Sequence, residues 1–237
     1  MKFEYSVVIK RADGSVKIVP VEFSRVLSSK SIKITPQLAR QIVRVTFPIY
    51  VSRARAIAFL ESKKDWVAEQ LERAPDKIAI ADGATIPFMG QKYRVAHIPN
   101  ARRGVWTEGG YIFVSGDARY LNRRVKDFVK SEIKKYFTAM AKAYAKKLAV
   151  HVNKVSVKDT VSRWGSCAST GNLSFSWRLA FAPVWVADYI VAHEVAHLSE
   201  LNHSYRFWRV VRRIYDGDVD KAQKWLARNG LSLYAIE

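Results

Sequence analysis

The hydrophobic pattern in the first third of the chain predicts strands followed by a helix. Apolar and polar positions alternate over residues 5–9 and 16–21, as in half-buried strands. Asp13-Gly14 lies between these runs and favours a tight hairpin turn, because both residue types tolerate positive φ angles. From about 52 to 73 the apolar residues recur at helical spacing. We therefore expect an N-terminal module of β-hairpin plus helix over residues 1–75.

The rest of the chain, residues 76–237, is predicted to form a second domain. Its strand-like runs lie at 77–81, 92–98, 111–114, 154–157 and 173–179. Apolar residues at helical spacing predict one long amphipathic helix over 117–150. Shorter helices are predicted at about 184–201, 204–214 and 219–228.

Composition narrows the class of protein. The chain has 237 residues, of which 49% are hydrophobic, enough for a sizeable core and against global disorder. Cys167 is the single cysteine, which excludes an intramolecular disulfide. The first ten residues lack the apolar stretch of a signal peptide, and no run of 18 apolar residues occurs. We expect a soluble, cytoplasmic protein without a membrane partner.

Charge is the unusual property of the composition. Forty Lys and Arg against 21 Asp and Glu give a formal net charge of +19, which favours polyanionic partners. The predicted helix 117–150 carries ten basic and three acidic residues. It is the candidate nucleic-acid contact, with an ordinary solvated basic face as the alternative. No RNA-recognition signature, zinc-finger spacing or arginine-glycine tract indicates a base-reading module.

The strongest chemical motif is His193-Glu194-Val195-Ala196-His197. On a helix, positions four apart share a face, so the two imidazoles can hold one metal ion. Glu194 lies one residue after the first histidine and does not point at the metal as they do. From there it can act as a general base towards a water beside the metal.

His203 is the leading candidate for the third metal ligand. Asn202-His203-Ser204 has the character of a helix break and restart, which could turn the chain back towards the motif. A metzincin is excluded, because Glu200 replaces the required glycine and every methionine precedes the motif. A glutamate ligand on a later helix is excluded too, since Glu237 is the only glutamate after Glu200. The weaker alternatives are aspartates: Asp216, Asp218 and Asp220. Three nitrogen ligands and an open position suit one catalytic Zn²⁺.

Three segments together resemble a known family. They are Ser162-Arg163-Trp164-Gly165-Ser166-Cys167, then Trp177-Arg178-Leu179, then the stretch from His193 to Trp208. This pattern resembles the YgjP-like family of zinc-dependent metallopeptidases, which are similar to WLM and SprT-like proteases. The resemblance is dense from about 155 to 230 and looser from about 83 onward.

The resemblance implies an α+β fold with a zincin-like core, in which a mixed or antiparallel sheet packs on the metal-binding helix. It also implies one zinc ion held by His193, His197 and His203, with Glu194 as the catalytic base. The substrate would be a protein or peptide. Relatives of the family include proteases that act on proteins crosslinked to DNA, which agrees with the net charge.

Further residues are candidates for supporting roles. Arg163, Tyr189 and Tyr205 could stabilise the oxyanion, and Arg163 is preferred, with an ion pair to Asp188 or Asp159 as its alternative. Cys167 is interpreted as a small buried residue, with a thiolate on the open zinc position as the second reading. Residues 173–177 alternate apolar and polar, so they are a candidate for the edge strand that a substrate chain would extend.

Three functions are compatible with the sequence. The favoured one is a zinc-dependent metallopeptidase of intracellular proteins, with a DNA-associated role as an extension. The first alternative is a basic nucleic-acid-binding accessory protein whose metal site is structural or vestigial. The second alternative is a metal hydrolase that acts on a small amide.

Overall fold

A computed structural model describes residues 5–10 and 14–237. The predicted turn at Asp13 lies outside the described residues. The chain divides into two compact units, Met1–Asp76 and Lys77–Glu237. Each unit has a hydrophobic core of its own.

In its described residues, the first unit contains one four-stranded sheet and two helices. Its elements are β1 (Ser6–Lys10), β2 (Val16–Arg25), β3 (Lys33–Gln37), β4 (Ile42–Phe47), α1 (Arg53–Glu61) and α2 (Lys64–Glu72). The strand order is β1-β2-β4-β3, with β2 and β4 parallel and the outer pairs antiparallel. Val43 and Val45 of β4 share a core with Leu60 and Val67 of the two helices.

The prediction of a single helix over 52–73 is wrong, because the helix is interrupted by a turn at Ser62 and Lys63. Ser62 ends α1, and its hydroxyl donates to the carbonyl of Phe59 at 2.8 Å. A serine that bonds to the preceding turn in this way competes with the helical pattern. Helical spacing in the sequence persists across the break, so the pattern alone does not reveal it.

The second unit begins with a sheet covered by a long helix. The strands are β5 (Thr85–Phe88), β6 (Gln91–His97), β7 (Val105–Glu108) and β8 (Tyr111–Val114), in the order β5-β6-β8-β7. The helix, α3 (Leu121–Leu148), buries Val125 and Val129 in the same core as Ile112 and Val114. The predicted strand at 77–81 is reduced to one isolated bridge, Ile78 with Ile236.

A three-stranded sheet follows, formed by β9 (Lys154–Lys158), β10 (Gly165–Cys167) and β11 (Asn172–Ser176). Its order is β10-β11-β9, with β10 antiparallel and β9 parallel to β11. The prediction that residues 173–177 form the edge strand is therefore wrong, since β11 is central and β10 is an edge. A central strand with one polar face produces the same alternation, here with Ser174 and Ser156 hydroxyls 2.7 Å apart.

Three helices complete the unit: α4 (Val184–Ala196), α5 (Tyr205–Ile214) and α6 (Val219–Asn229). Nine residues of α4 are buried, as expected for a helix that is apolar on nearly every side. It ends at Ala196, five residues before the predicted end at 201. Mixed sheets and helices confirm the α+β prediction. Within the described residues, no helix combines the length and hydropathy that a bilayer crossing requires.

Candidate metal centre

Three histidines converge at the end of α4. His193 and His197 lie one turn apart on that helix, and His203 comes from the loop before α5. One ring nitrogen of each lies within 4.8 Å of the others. The Nε2 atoms of His193 and His203 are 3.0 Å apart. The sequence prediction thus named the three imidazoles that the fold brings together.

This arrangement fits a zinc ion by donor type and by spacing. Neutral imidazole nitrogens are good zinc ligands, and Zn–N distances of about 2.0–2.1 Å place two tetrahedral ligands about 3.3 Å apart. The 3.0 Å separation of His193 and His203 is close to that value. Burial, reinforced by His197 and His203, lowers the pKa of His193 to about 4, which keeps its ring neutral near pH 7.

The loop from α4 to α5 orients the ring of His197 and carries His203. The backbone carbonyl of Glu200 accepts a hydrogen bond from Nδ1 of His197 at 3.1 Å, which leaves Nε2 of that ring as the donor atom for a metal. Ser204 follows His203 directly and caps α5 by accepting from the amide of Phe207 at 3.4 Å. The helix restart predicted at Asn202-His203-Ser204 therefore exists.

Phe207 forms an aromatic contact with all three imidazoles. Its ring centroid lies 4.9 Å from that of His193, 4.5 Å from His197 and 4.7 Å from His203. Phe207 is fully buried. Helical spacing in the sequence gives no signal of this contact with the histidines. It supports the three rings from one side.

Glu194 lies beside the histidines in a buried position, 6% exposed. Burial raises the pKa of Glu194 to about 7, and the Arg163 guanidinium opposes that rise. The side chain packs against the backbone of β10. A Cβ atom placed on Gly165 would lie 2.5 Å from Oε1 of Glu194 and 2.6 Å from its Cγ. Gly165, which the sequence did not single out for a role, leaves the space that Glu194 fills.

The centre opens into a cleft of about 390 Å³. Its lining residues are Arg163, Gly165, Ser166, Cys167, His193, Glu194, His197, Leu201 and His203. The alternative for Arg163, an ion pair with Asp159 or Asp188, is not observed. Asp159 pairs with Arg178 at 3.0 Å, and Asp188 accepts a hydrogen bond from Tyr136.

The other candidates for the oxyanion and the third ligand lie elsewhere. Tyr189 is buried, and its hydroxyl accepts from Gln223 at 3.0 Å, while Tyr205 is 77% exposed and outside the lining of the cleft. The three aspartates have other partners: Asp216 pairs with Lys147, Asp218 caps α6 and Asp220 pairs with Arg212.

A family model described as "YgjP-like, metallopeptidase domain" matches residues 30–229. That match covers most of the chain and includes every residue of the centre. The chain belongs to the YgjP-like metallopeptidase family. The family match also extends into the first unit, over β3, β4, α1 and α2, where the sequence resemblance found nothing.

Among solved structures, this family member is similar to one described as the metallopeptidase zymogen of Pyrococcus abyssi abylysin. The two chains are 20% identical, with a TM-score of 0.35, and the alignment covers 41% of this chain and 94% of that one. No curated protein matched the chain.

Cys167 lines the cleft and is partly buried. Burial, together with the nearby Glu194 carboxylate, raises the pKa of the Cys167 thiol to about 11 and favours the neutral thiol. Partial rather than full burial departs from the small buried residue expected for this position.

The edge strand β10 turns alternate backbone groups towards and away from β11. The backbone amide of Ser176 donates to the carbonyl of Trp164 at 2.8 Å, and the backbone amide of Ala168 donates to the carbonyl of Asn172 at 2.9 Å. Backbone groups alternate along an antiparallel pair, so the N–H and C=O of Gly165 and Cys167 face outward. Both residues line the cleft. The free edge beside the histidines therefore belongs to β10, a strand too short for the sequence pattern to reveal.

Proposed function

We propose that this protein is a zinc-dependent metallopeptidase that hydrolyses peptide bonds of intracellular proteins. The observation that carries the proposal is the convergence of His193, His197 and His203 next to the buried carboxyl of Glu194. A purely structural zinc site is usually closed and rich in cysteine, whereas this one has three nitrogens and opens into a cleft.

In the proposed mechanism the three histidines hold one Zn²⁺. A zinc ion bound there would polarise the scissile carbonyl and favour deprotonation of a nearby water. Glu194 accepts the proton of the attacking water at its carboxylate and passes it to the leaving amine. A pKa near 7 suits both steps, since the carboxyl group can then take up and release a proton at neutral pH.

The substrate is proposed to bind as an extended chain along β10. The outward amides and carbonyls of Gly165 and Cys167 would pair with its backbone, as in β-strand addition. This pairing would bring the scissile bond next to Glu194. Arg163 is proposed to stabilise the oxyanion, because it lines the same cleft and its charge acts on Glu194.

Association with DNA is a separate part of the proposal, and the helix 117–150 was its predicted surface. Several of its basic residues have partners: Arg119 pairs with Asp117, Lys135 with Glu132 and Lys147 with Asp216. Within the described chain, no ion pair involves Lys126, Lys134, Lys142 or Lys146. These four lysines support a polyanion contact on α3.

The decisive experiment is a cleavage assay on basic, DNA-binding proteins, with and without single-stranded DNA. Wild type and Glu194→Gln are compared, and the zinc content of both is measured. Cleavage by wild type and its loss in a zinc-loaded Glu194→Gln protein would support the peptidase. Cleavage that is equal in both proteins would refute the role of Glu194. Absence of cleavage by zinc-loaded wild type would favour the accessory-protein alternative.

A further inference from the structure

The outer face of the sheet β5-β6-β8-β7 carries an unusual row of aromatic side chains. Ile112 and Val114 of β8 point into the core beneath α3, so Tyr111 and Phe113 point to the opposite face. Trp106 of β7 is the register partner of Phe113 and lies on that face with them. We call Trp106, Tyr111 and Phe113 the aromatic row.

The three rings of the aromatic row are stacked. The centroids of Trp106 and Phe113 are 5.1 Å apart with planes 27° from parallel, and those of Tyr111 and Phe113 are 5.5 Å apart with planes at 20°. Such separations are typical of offset stacking, in which each ring leaves part of its face uncovered. None of the three belongs to the hydrophobic core or packs against it. Tyr111 is 40% exposed.

Positive charge surrounds the aromatic row. On β6, Arg94 is the register partner of Tyr111. Lys92 lies two residues before Arg94 and on the same face of the sheet. Both are exposed and have no ion-pair partner among the residues that the structure describes. The guanidinium of Arg103 lies 5.3 Å from the centroid of Trp106. The acidic neighbour is Glu108, which accepts from Nε1 of Trp106 at 3.2 Å and lies 3.9 Å from Arg103.

We propose that this face of the sheet binds single-stranded nucleic acid. Unpaired bases would stack on the aromatic row, while Arg94, Lys92 and Arg103 would contact the phosphates. Aromatic side chains within a basic surface are the usual means of binding single strands without sequence preference. The net charge of +19 complements a polyanion.

The geometry favours single strands over duplexes. In a duplex the base faces are stacked on one another and unavailable, so an aromatic row would add nothing to the attraction of the phosphates. A lysine surface such as that on α3 attracts both forms through charge alone. The aromatic row therefore assigns this binding to a surface other than α3. The proposal of single-strand binding does not depend on the peptidase proposal, because binding requires neither zinc nor Glu194.

The test measures binding of the full-length protein to a fluorescent oligothymidylate by anisotropy. The same protein is titrated with an abasic oligonucleotide of equal length and with a duplex. We expect the abasic strand to bind roughly tenfold or more weakly, because each stacked base contributes about 1–3 kcal/mol. Equal affinity for the abasic and thymidylate strands would refute stacking, and this comparison needs no variant.

Two pairs of matched variants locate the surface. Trp106→Ala with Tyr111→Ala should weaken thymidylate binding at least tenfold, while Tyr50→Ala with Tyr205→Ala, two exposed tyrosines elsewhere, should leave it unchanged. Lys92→Glu with Arg94→Glu should weaken it more than Lys134→Glu with Lys142→Glu, although the charge change is equal. Thermal unfolding checks that each variant is folded.

The proposal fails if folded Trp106→Ala/Tyr111→Ala protein binds thymidylate as wild type does. It also fails if only the α3 reversals reduce binding, which would return the interface to that helix. Absence of binding to any oligonucleotide at low salt would overturn it and leave a protein partner as the occupant of the face.

Discussion

Gly165 of β10 lies directly against the side chain of the candidate base, Glu194. Glu194 follows His193 on α4, so the helix fixes its Cα, but β10 limits where its carboxyl can lie. Only a residue without a Cβ leaves that volume free. Gly165 has an ordinary φ, so here glycine is required by space rather than by backbone conformation.

Gly165→Ala should reduce peptidase activity by roughly a hundredfold while zinc content stays at the wild-type level. The added methyl group would lie within 3 Å of three Glu194 side-chain atoms, so the carboxyl has to move, and a displacement of about 1 Å at a catalytic group can have an effect of that size. Activity and bound zinc are measured on the same preparation.

The control for this substitution is a double-mutant cycle on stability. Gly165→Ala should lower the thermal midpoint of wild type more than that of Glu194→Ala, because the second protein lacks the side chain that collides. Equal destabilisation in both backgrounds, or full activity in Gly165→Ala, would contradict the contact.

Phe207→Leu should weaken zinc binding about tenfold, within the range for residues that support metal ligands. The smaller side chain no longer contacts three imidazole rings, so the rings gain freedom that binding must then remove. Zinc affinity is measured by competition with a chelating dye. Phe137→Leu is the matched control, since Phe137 is equally buried in the same unit and contacts Phe175 instead. Parallel losses in both variants would indicate a general packing effect.

At the residue scale, the sequence predicted local chemistry and missed contacts between distant segments. His193, Glu194 and His197 are recognisable because helical geometry fixes the relation of residues four apart. Gly165 and Phe207 lie against residues of the same centre from other elements, and no spacing rule links them to it. Their positions become visible only after β10 and α5 are placed in space.

Helix α5 depends on its N-terminal cap, which also ends the loop that holds His203. Ser204→Ala removes the acceptor for the amide of Phe207 and should reduce the free energy of unfolding by about 1 kcal/mol. Because His203 adjoins the cap, zinc affinity should fall as well. Both quantities are measured, by denaturant unfolding and by chelator competition.

Ser52→Ala is the matched control for this cap. Ser52 caps α1 in the first unit by accepting from the amide of Arg55 at 3.2 Å, so its loss should have a similar effect on stability and none on zinc. Unchanged zinc affinity in Ser204→Ala would show that the cap stabilises α5 without positioning His203.

At the scale of elements, the sequence pattern predicted most of the long periodic helices and only some of the strands. The pattern predicted α3, α5 and α6 nearly to their observed ends, since each has a clear apolar stripe. It missed β3, β4, β5, β7 and β10, of which β10 has three residues and no room for alternation. Strand order depends on pairing between distant segments, so a local sequence pattern could not predict that β11 is the central strand.

The second unit is closed by a pairing between its two sequence ends. The amide of Ile78 donates to the carbonyl of Ala235 at 2.8 Å, and that of Ile80 donates to Glu237 at 2.7 Å. Ile80 and Ile236 are both buried. The sequence predicted a strand at 77–81 but could not reveal its partner, because the two segments are more than 150 residues apart.

The pairing of residues 78–80 with residues 235–237 predicts where the chain can be cut to obtain the second unit as a separate fragment. A fragment of residues 77–237 should unfold cooperatively and bind one zinc ion, since it keeps the whole core of the unit and the pairing at its ends. A fragment of residues 84–237 retains the centre but loses Ile78 and Ile80, so the apolar side of Ile236 would be exposed and its stability should fall by several kcal/mol. Circular dichroism during heating and zinc content distinguish the two fragments. Equal stability of both would show that the terminal pairing contributes little, and failure of 77–237 to fold would show that the core of the second unit is not sufficient by itself.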